Sequence, residues 1–348
     1  MKVLMIGLGG IGQRHLRNLH SLLGDDLVVS AYRVRRLAQV VTDRLTIEPG
    51  SDIEKKYNVR VFDDLDCALA QRPDVALVCN PSSLHVPVAL RAARAGCHLF
   101  LEKPLSHELD SVGELIEEVN SRGLVGLVGY QLRFHPCLTR LHDVLRGGMV
   151  GRVVAVRMEV GEYLPGWHTY EDYRHMYASR PELGGGVILS QIHEMDAIYW
   201  LFGLPSRVYS IGGHLSRLEI DVEDTASTLM SCQSDGQTFP VHLHQDYVQR
   251  PPSRTYQVIG DSGKVVVDLR EPSITRYEAD GEIAEHTTFD RFERNQLFLD
   301  EMTHLLACLR GEQIPAVSLH DGVQSLRMAL AAKRSIETGR VIELEDDL

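Results

Sequence analysis

A glycine-rich turn close to the N-terminus limits the folds open to this chain more than any other feature. The apolar run Val3–Ile6 stops at Gly7, and a helical spacing of leucines follows Gly12. A strand, a tight turn and a helix in this order place backbone N–H groups at a helix N-terminus, where they can bind a pyrophosphate. Such turns also occur for purely structural reasons, but here the turn begins an alternating pattern. We therefore expect a dinucleotide to bind at Gly7, Gly9, Gly10, Ile11 and Gly12.

Short apolar strands alternate with helices up to about residue 123. Strands such as Val75–Cys79 show no polar alternation, so helices must cover both faces of their sheet. From about residue 124 the pattern changes to alternating runs joined by hairpin turns such as Asp261–Gly263. The predicted fold class is α/β, with a doubly wound parallel sheet in residues 1–123 and a mostly antiparallel sheet in residues 124–348.

Charge and composition exclude several classes of protein. The 348 residues include 36 Lys and Arg against 48 Asp and Glu, a net charge of −12 that repels a phosphate backbone. No apolar run approaches the roughly 18 residues of a membrane span. Six cysteines without a C-x-x-C pair indicate reduced, buried thiols. We therefore expect no nucleic-acid partner, no membrane partner and a cytoplasmic location.

The end of the second strand bears on the choice of dinucleotide. An NAD site usually has an acid there that accepts from the ribose 2′-OH. This chain instead has Tyr32 and Arg33, followed by Arg35 and Arg36. A solvated arginine cluster would explain these residues equally well. Either NADP or NAD fits the turn, and the missing acid favours NADP.

Lys103 follows the strand that ends at Glu102 and precedes Pro104. Ligands of open α/β sheets bind outside the carboxyl ends of the strands, which places Lys103 near a nicotinamide. Pro104 disfavours a helical conformation at Lys103, so the ammonium group is available to move an alcohol or carbonyl proton. Glu102 would orient Lys103 or reach the cofactor ribose. The alternative is a surface Glu–Lys pair.

A second polar set follows the triple glycine at 184–186. We expect one helix from Val187 to Phe202, with Ser190 and His193 on its first turns. Three glycines permit close approach of backbone segments. His193 is either a hydrogen-bonded core histidine or a proton relay.

An aromatic and polar loop, residues 163–175, lies just before the triple glycine. Loops above a cleft often carry specificity, so we expect a substrate lid with contacts from Tyr163, Trp167 and His168. Loop packing or a contact between subunits would explain the same aromatic residues.

Two other polar sets predict no site. His242 and His244 share one strand face without a third ligand nearby. The acidic residues between 219 and 224 lack the spacing of a calcium loop and indicate a solvated loop. The sequence therefore predicts no metal site.

Taken together, the glycine turn, Glu102-Lys103-Pro104, the segment 129–134 and the glycine-rich helix containing His193 and Asp196 resemble the Gfo/Idh/MocA oxidoreductase family over nearly the whole chain. The resemblance implies a Rossmann domain and a substrate-binding α/β domain with a large open sheet. It also implies NAD(P)-dependent hydride transfer on a sugar, sugar derivative or cyclitol, and a homodimer or homotetramer formed through the sheets. Similar loops before the triple glycine occur in family members associated with surface-glycan sugars.

Residue roles are carried over from the family by position. Lys103 and His193 would be catalytic, and further cofactor contacts would come from Asn80, Pro81, His85, Glu102, Gln131 and Arg174. The family commonly has an aspartate three or four residues before the helix histidine. Here those positions are Ser190 and Leu189. Ser190 can donate or accept a hydrogen bond but cannot act as a base, so a substrate contact differs from that of the polyol dehydrogenases.

Two competing functions remain open at this point. The same fold can use NAD transiently to acidify a sugar C–H bond, as a lyase, epimerase or glycosidase without net redox change. The chain could also be a non-catalytic dinucleotide-binding regulator, for which the missing aspartate argues and the intact Lys103 argues against.

Overall fold

The computed structural model describes residues 1–34, 39–42, 45–234 and 236–345. Its helices are α1 (Gly10–Leu23), α2 (Ile53–Lys56), α3 (Leu65–Leu69), α4 (His85–Arg94), α5 (Val112–Ser121), α6 (Pro136–Arg146), α7 (Val187–Ser190), α8 (His193–Phe202), α9 (Arg294–Leu309) and α10 (Leu319–Thr338). None of the helices in the described part of the chain is long and apolar enough to cross a bilayer.

The strands of the first half are β1 (Lys2–Ile6), β2 (Val28–Tyr32), β3 (Gln39–Val41), β4 (Ile47–Asp52), β5 (Arg60–Phe62), β6 (Val75–Val78), β7 (His98–Glu102) and β8 (Gly126–Gly129). Those that follow are β9 (Val153–Gly161), β10 (Arg207–Gly213), β11 (Thr225–Ser234), β12 (Gln237–Asp246), β13 (Ser253–Gly260), β14 (Gly263–Asp268), β15 (Ser273–Glu278), β16 (Ile283–Thr288) and β17 (Ile342–Glu343).

The chain divides into two compact units. Unit 1 contains residues 1–131, 168–172 and 294–323, and unit 2 contains residues 132–167, 173–293 and 324–348. The predicted boundary between residues 123 and 124 differs from this division, because β8 pairs in parallel with β7 and so completes the first sheet. The helix α9 also belongs to unit 1, although it comes late in the chain.

Unit 1 is built on a parallel sheet, as predicted. Among the described residues its strand order is β5-β2-β1-β6-β7-β8. All four residues of β6 are fully buried, which is the burial expected of a parallel strand covered on both faces. The apolar core includes Leu16 and Leu19 of α1 and Met302 and Leu305 of α9. This order brings the ends of β1, β6, β7 and β8 to one edge.

Unit 2 is built on a mostly antiparallel sheet, also as predicted. Its order within the described chain is β16-β15-β14-β13-β9-β12-β11-β10-β17. The pair β9 and β12 is parallel, and the other neighbours are antiparallel. The alternating burial along β11 shows that one face of this sheet packs on the core of the unit.

Three details of the sequence interpretation are wrong. The expected helix from Val187 to Phe202 is interrupted at Gln191, whose ψ of +36° is not helical, so α7 and α8 are separate. The acidic loop is not solvated throughout, because Asp224 is fully buried. Of the six thiols, Cys67 is exposed while the other five are buried.

Candidate active site

The glycine turn between β1 and α1 is tightly packed at two of its glycines and open at the third. Gly7 has a φ of +97°, and a Cβ there would lie 2.8 Å from the Asn80 nitrogen. A Cβ on Gly12 would lie 2.4 Å from the Gly7 carbonyl oxygen. Gly9 has no described atom within 4 Å of its Cβ position, so its backbone is open to approach. Gly7 thus permits the tight turn, Gly9 leaves the backbone accessible, and Gly12 permits close packing.

Polar residues follow the carboxyl ends of neighbouring strands in unit 1. Asn80 follows β6, Lys103 follows β7, and Gln131 follows β8. Lys103 is half-buried, whereas Gln131 is only 7% exposed. Because these strands are adjacent and parallel, the three residues lie along one sheet edge together with the glycine turn.

His85 connects two of these strand ends. Its Nε2 lies 2.8 Å from the Asn80 carbonyl oxygen, and its Nδ1 lies 2.9 Å from the Pro104 carbonyl oxygen. Burial lowers the pKa of His85, which favours a neutral ring that donates through one nitrogen at a time. His85 therefore ties the segment containing Pro81 to the turn that carries Lys103.

Glu102 lies behind Lys103 and is held from two sides. Its Oε1 is 2.5 Å from Nε2 of His15, and its Oε2 accepts a 3.2 Å hydrogen bond from the Lys103 backbone N–H. His15 is fully buried on α1. Sequence reasoning missed His15, although its position three residues after Gly12 on a helix that packs against the sheet could have indicated it.

Arg33 lies at the end of β2, as expected, but it has an acidic partner. Its Nη1 is 3.0 Å from Oε1 of Glu54 on α2. Arg33 is 4% exposed, so the pair is partly shielded from water. Sequence reasoning missed Glu54, because its short helix follows a segment without clear periodicity. Arg35 and Arg36 lie outside the described residues.

The aromatic loop is shared between the two units. Residues 168–172 belong to unit 1, where the Tyr170 hydroxyl lies 2.9 Å from the position that a Cβ on Gly10 would take. Burial, with a smaller effect of Glu171, raises the pKa of Tyr170 to about 12. His168 stacks on the Tyr170 ring and approaches Glu171 at 2.7 Å. Tyr170 is therefore a neighbour of the glycine turn that sequence reasoning did not select.

The other loop residues lie in unit 2. The Tyr163 ring lies under the Arg250 guanidinium at 3.9 Å, and Trp167 packs edge-on against the fully buried Tyr247. Arg174 is exposed and forms a 2.9 Å ion pair with Glu219.

The triple glycine at 184–186 forms the turn that leads into α7. Gly186 has a φ of +109°, and a Cβ there would lie 2.2 Å from Oε1 of Glu223. Gly185 is equally restricted, because its Cβ would lie 2.5 Å from the Tyr177 carbonyl oxygen. Ser190 and His193, which are 4% and 5% exposed, come directly after this turn in the chain. Larger residues at either glycine would displace the segment that carries them.

Glu223, whose side chain is 12% exposed, lies beside the N-terminal end of α7, the helix that carries Ser190. Its backbone carbonyl accepts from the Val187 N–H at 2.9 Å, and its carboxylate lies 3.5 Å from Lys333 Nζ. Burial raises the pKa of Glu223, and the Lys333 charge only partly offsets that effect. Sequence reasoning assigned this residue to a solvated loop, since nothing local shows that the loop folds against α7.

The two acids of α8 each form an ion pair with an arginine of unit 2. Asp196 forms a two-point ion pair with Arg133 at 2.7 and 2.9 Å, and Glu194 does the same with Arg254 at 2.6 and 2.9 Å.

His242 and His244 both approach Ser227, at 3.5 and 2.9 Å. Among the described residues no group of three or more potential ligands is placed to hold a metal ion.

Family models match most of the chain. Residues 1–130 match an oxidoreductase family with an NAD-binding Rossmann fold, and residues 143–344 match the C-terminal alpha/beta domain of an oxidoreductase family.

Individual proteins are similar over the whole length. Myo-inositol 2-dehydrogenase of Thermotoga maritima is 27% identical over 99% of each chain. The NAD(+)-dependent scyllo-inositol 2-dehydrogenase of Bacillus subtilis is 25% identical over 98% of this chain and 95% of its own. Among solved structures, the WlbA dehydrogenase of Bordetella pertussis, in complex with NADH and UDP-GlcNAcA, superposes with a TM-score of 0.79 at 23% identity, covering 100% of this chain and 99% of its own. At that identity the likeness concerns the fold.

Proposed function

The chain belongs to the Gfo/Idh/MocA family of nicotinamide-dependent oxidoreductases, and we propose that it transfers hydride between the cofactor and a carbinol or carbonyl carbon of a sugar, sugar derivative or cyclitol. The observation that carries the proposal is the position of Lys103, at the carboxyl end of β7 and on the sheet edge that also carries the glycine turn. The similarity to two inositol dehydrogenases supports the substrate class.

Each of the site residues of this chain would have a distinct role in the reaction. A bound nicotinamide supplies hydride transfer at its C4 atom. During oxidation Lys103 takes the proton of the substrate hydroxyl, and during reduction it returns a proton to the carbonyl oxygen. His193 orients the substrate or relays the proton, and Ser190 contributes a neutral hydrogen bond. Tyr163, Trp167 and His168 remain proposed substrate contacts.

We also propose that NADP(H) binds more tightly than NAD(H). Arg33, Arg35 and Arg36 support this preference, together with the lack of an acid at the end of β2. The ion pair between Arg33 and Glu54 opposes it, since Glu54 offsets the charge of Arg33. Titration of both dinucleotides tests the preference, and Glu54→Gln is expected to increase it. Equal or tighter NAD(H) binding by the native chain would contradict the proposal.

A screen of inositols, free hexoses and nucleotide sugars tests the reaction type, with NAD(P)H absorbance as the readout and Lys103→Met as the control. We expect net formation or consumption of NAD(P)H with one class. Product formed without net NAD(P)H change would instead favour the lyase, epimerase or glycosidase alternative. Dinucleotide binding without turnover of any compound would favour the regulator. The proposed location remains the cytoplasm.

A further inference from the structure

Gly10 is a glycine of the turn after β1 that the dinucleotide-binding pattern does not explain. The pattern G-x-G-x-x-G requires glycine at positions 7, 9 and 12 of this chain and accepts any residue at position 10. Gly10 is the first residue of α1, and its φ is not among the positive values of the described glycines. A physical reason for glycine at this position must therefore come from its surroundings.

The surroundings of Gly10 include the hydroxyl group of Tyr170. A Cβ on Gly10 would lie 2.9 Å from the hydroxyl oxygen and 4.0 Å from the ring carbon that carries it. At the first distance the hydroxyl group would have to move, whereas the second is an ordinary van der Waals contact. Glycine at position 10 therefore makes room for the hydroxyl group specifically, since the ring alone would fit beside a methyl group.

The segment 168–172 holds Tyr170 through contacts of its own. The His168 ring stacks on the Tyr170 ring, with the centroids 5.3 Å apart and the planes inclined by 14°. Nδ1 of His168 lies 2.7 Å from Oε1 of Glu171, so the acid next to Tyr170 is paired within the loop. The Glu171 N–H also donates to the His168 carbonyl oxygen at 3.2 Å. The loop itself thus holds the ring of Tyr170.

A phenol beside the N-terminal end of α1 suits a bound diphosphate. Because burial raises the pKa of Tyr170 to about 12, the hydroxyl group keeps its proton at neutral pH and can donate it. The first N–H groups of α1 and the helix dipole attract an anion to the same place. A hydrogen bond from a neutral donor to a charged oxygen is stronger than one between two neutral groups.

We propose that Tyr170 is a dinucleotide-binding residue, whose hydroxyl group donates a hydrogen bond to a diphosphate oxygen of the cofactor at the turn after β1. Gly10 makes room for this contact. The inference rests on the proposed function for the identity of the ligand, and it assigns Tyr170 to the cofactor rather than to the substrate.

Four variants test the proposal: Tyr170→Phe, Gly10→Ala, these two combined, and Tyr173→Phe as a matched control. Tyr173 lies on the same loop, but its hydroxyl group accepts from the Glu219 N–H at 3.3 Å within unit 2. The first ligand is NADH or NADPH, whichever binds the native chain more tightly. The second is ADP-ribose, or its 2′-phosphate for NADPH, which keeps the diphosphate and lacks the nicotinamide. Isothermal titration calorimetry gives the dissociation constants without any substrate.

We expect Tyr170→Phe to weaken the binding of both ligands by about tenfold, as the loss of one hydrogen bond to a charged group implies. Tyr173→Phe should change either dissociation constant by less than about twofold. Gly10→Ala should weaken both ligands by at least about threefold, because its methyl group displaces the Tyr170 hydroxyl group. In the Tyr170→Phe background the same substitution should cost less than about twofold, since the methyl group then meets only the ring.

Three outcomes would overturn the proposal. Tyr170→Phe could bind both ligands as tightly as the native chain, or it could weaken the reduced dinucleotide alone, which would move the contact to the nicotinamide half. Gly10→Ala could also cost the same in both backgrounds, which would show that Gly10 and Tyr170 act independently. If the affinities change as expected but no sugar or cyclitol is turned over, the proposed reaction fails and the assignment of Tyr170 stands.

Discussion

Lys103 is the residue on which the proposed chemistry depends most directly. Lys103→Met keeps the length of the side chain and removes its ammonium group, so the packing of the turn after β7 should persist. We expect kcat to fall by about 10² to 10⁴, as is typical when a general acid–base group is lost. The dissociation constant of NAD(P)H should stay within about twofold of the native value.

Steady-state kinetics and fluorescence titration of the dinucleotide measure the two effects of Lys103→Met separately. A kcat that remained within about tenfold would assign the proton to another group. Loss of dinucleotide binding would show that Lys103 acts mainly in holding the cofactor.

Glu301, a fully buried carboxyl group on α9, gives the fold a dependence on pH. The ordinary pKa of this carboxyl is 4.5, and in the folded chain burial and then the Glu102 charge raise it well above that value. Below pH 4.5 the group is protonated in both states. As pH rises from 4.5 towards the folded-state pKa, only the unfolded chain releases the proton, so stability is lost over that window. The titratable groups that interact with its charge are Glu102 and Cys79.

Glu301→Gln removes this titration and leaves Glu102 and Cys79 in place. The difference in Tm between the variant and the native chain should therefore rise in favour of the variant by at least about 3 °C between pH 4.5 and pH 8. Differential scanning fluorimetry across this range measures it, with Glu312→Gln as an exposed control on unit 1. A difference independent of pH would mean that Glu301 is ionised in the folded chain.

At the level of elements, two glycines of the turn between β1 and α1 are required for different reasons. A Cβ on Gly12 would overlap the Gly7 carbonyl oxygen at 2.4 Å, whereas a Cβ on Gly9 meets no described atom within 4 Å. Gly9 also has a φ of −72°, which alanine adopts without strain. Gly12 is thus required by packing, and Gly9 only by the approach of a ligand.

The matched pair Gly9→Ala and Gly12→Ala tests this separation. Gly9→Ala should keep Tm within about 2 °C and weaken dinucleotide binding by at least about tenfold, because its methyl group covers the backbone at the helix N-terminus. Gly12→Ala should lower both Tm and affinity. Unchanged dinucleotide affinity in Gly9→Ala would place the diphosphate away from this turn.

At the scale of the whole molecule, the nine-stranded sheet of unit 2 exposes two apolar side chains on one face. Leu229 on β11 is 50% exposed and Ile211 on β10 is 65% exposed. Their cross-strand partners, Tyr209 and Ser227, lie on the same face. A homodimer or homotetramer formed through this face, as the family resemblance implies, would cover these side chains.

Leu229→Asp should convert such an assembly to monomers, because it places a charge on the covered face. Ile314→Asp is the matched control, since Ile314 is 86% exposed in a loop of unit 1. Light scattering coupled to size-exclusion chromatography gives the mass of each variant. A native chain that is already monomeric at micromolar concentration would contradict the proposed assembly.

The sequence by itself determined the fold class and the position of the glycine turn. Apolar runs without polar alternation require a sheet covered on both faces, and the spacing of Gly7, Gly9 and Gly12 is a local backbone requirement. Alternating runs between hairpin signals likewise predicted the second sheet. These features depend on neighbours along the chain, so local reasoning was sufficient for them.

Only the tertiary structure decided which distant side chains meet. His15 contacts Glu102 from 87 residues away, and Glu54 reaches Arg33 from a short helix that has no clear signal in the sequence. Glu223 looked solvated because burial of a loop depends on what folds over it. Contacts of this kind are set by the packing of elements against one another, and a pattern read along the chain carries no information about the partner across the core.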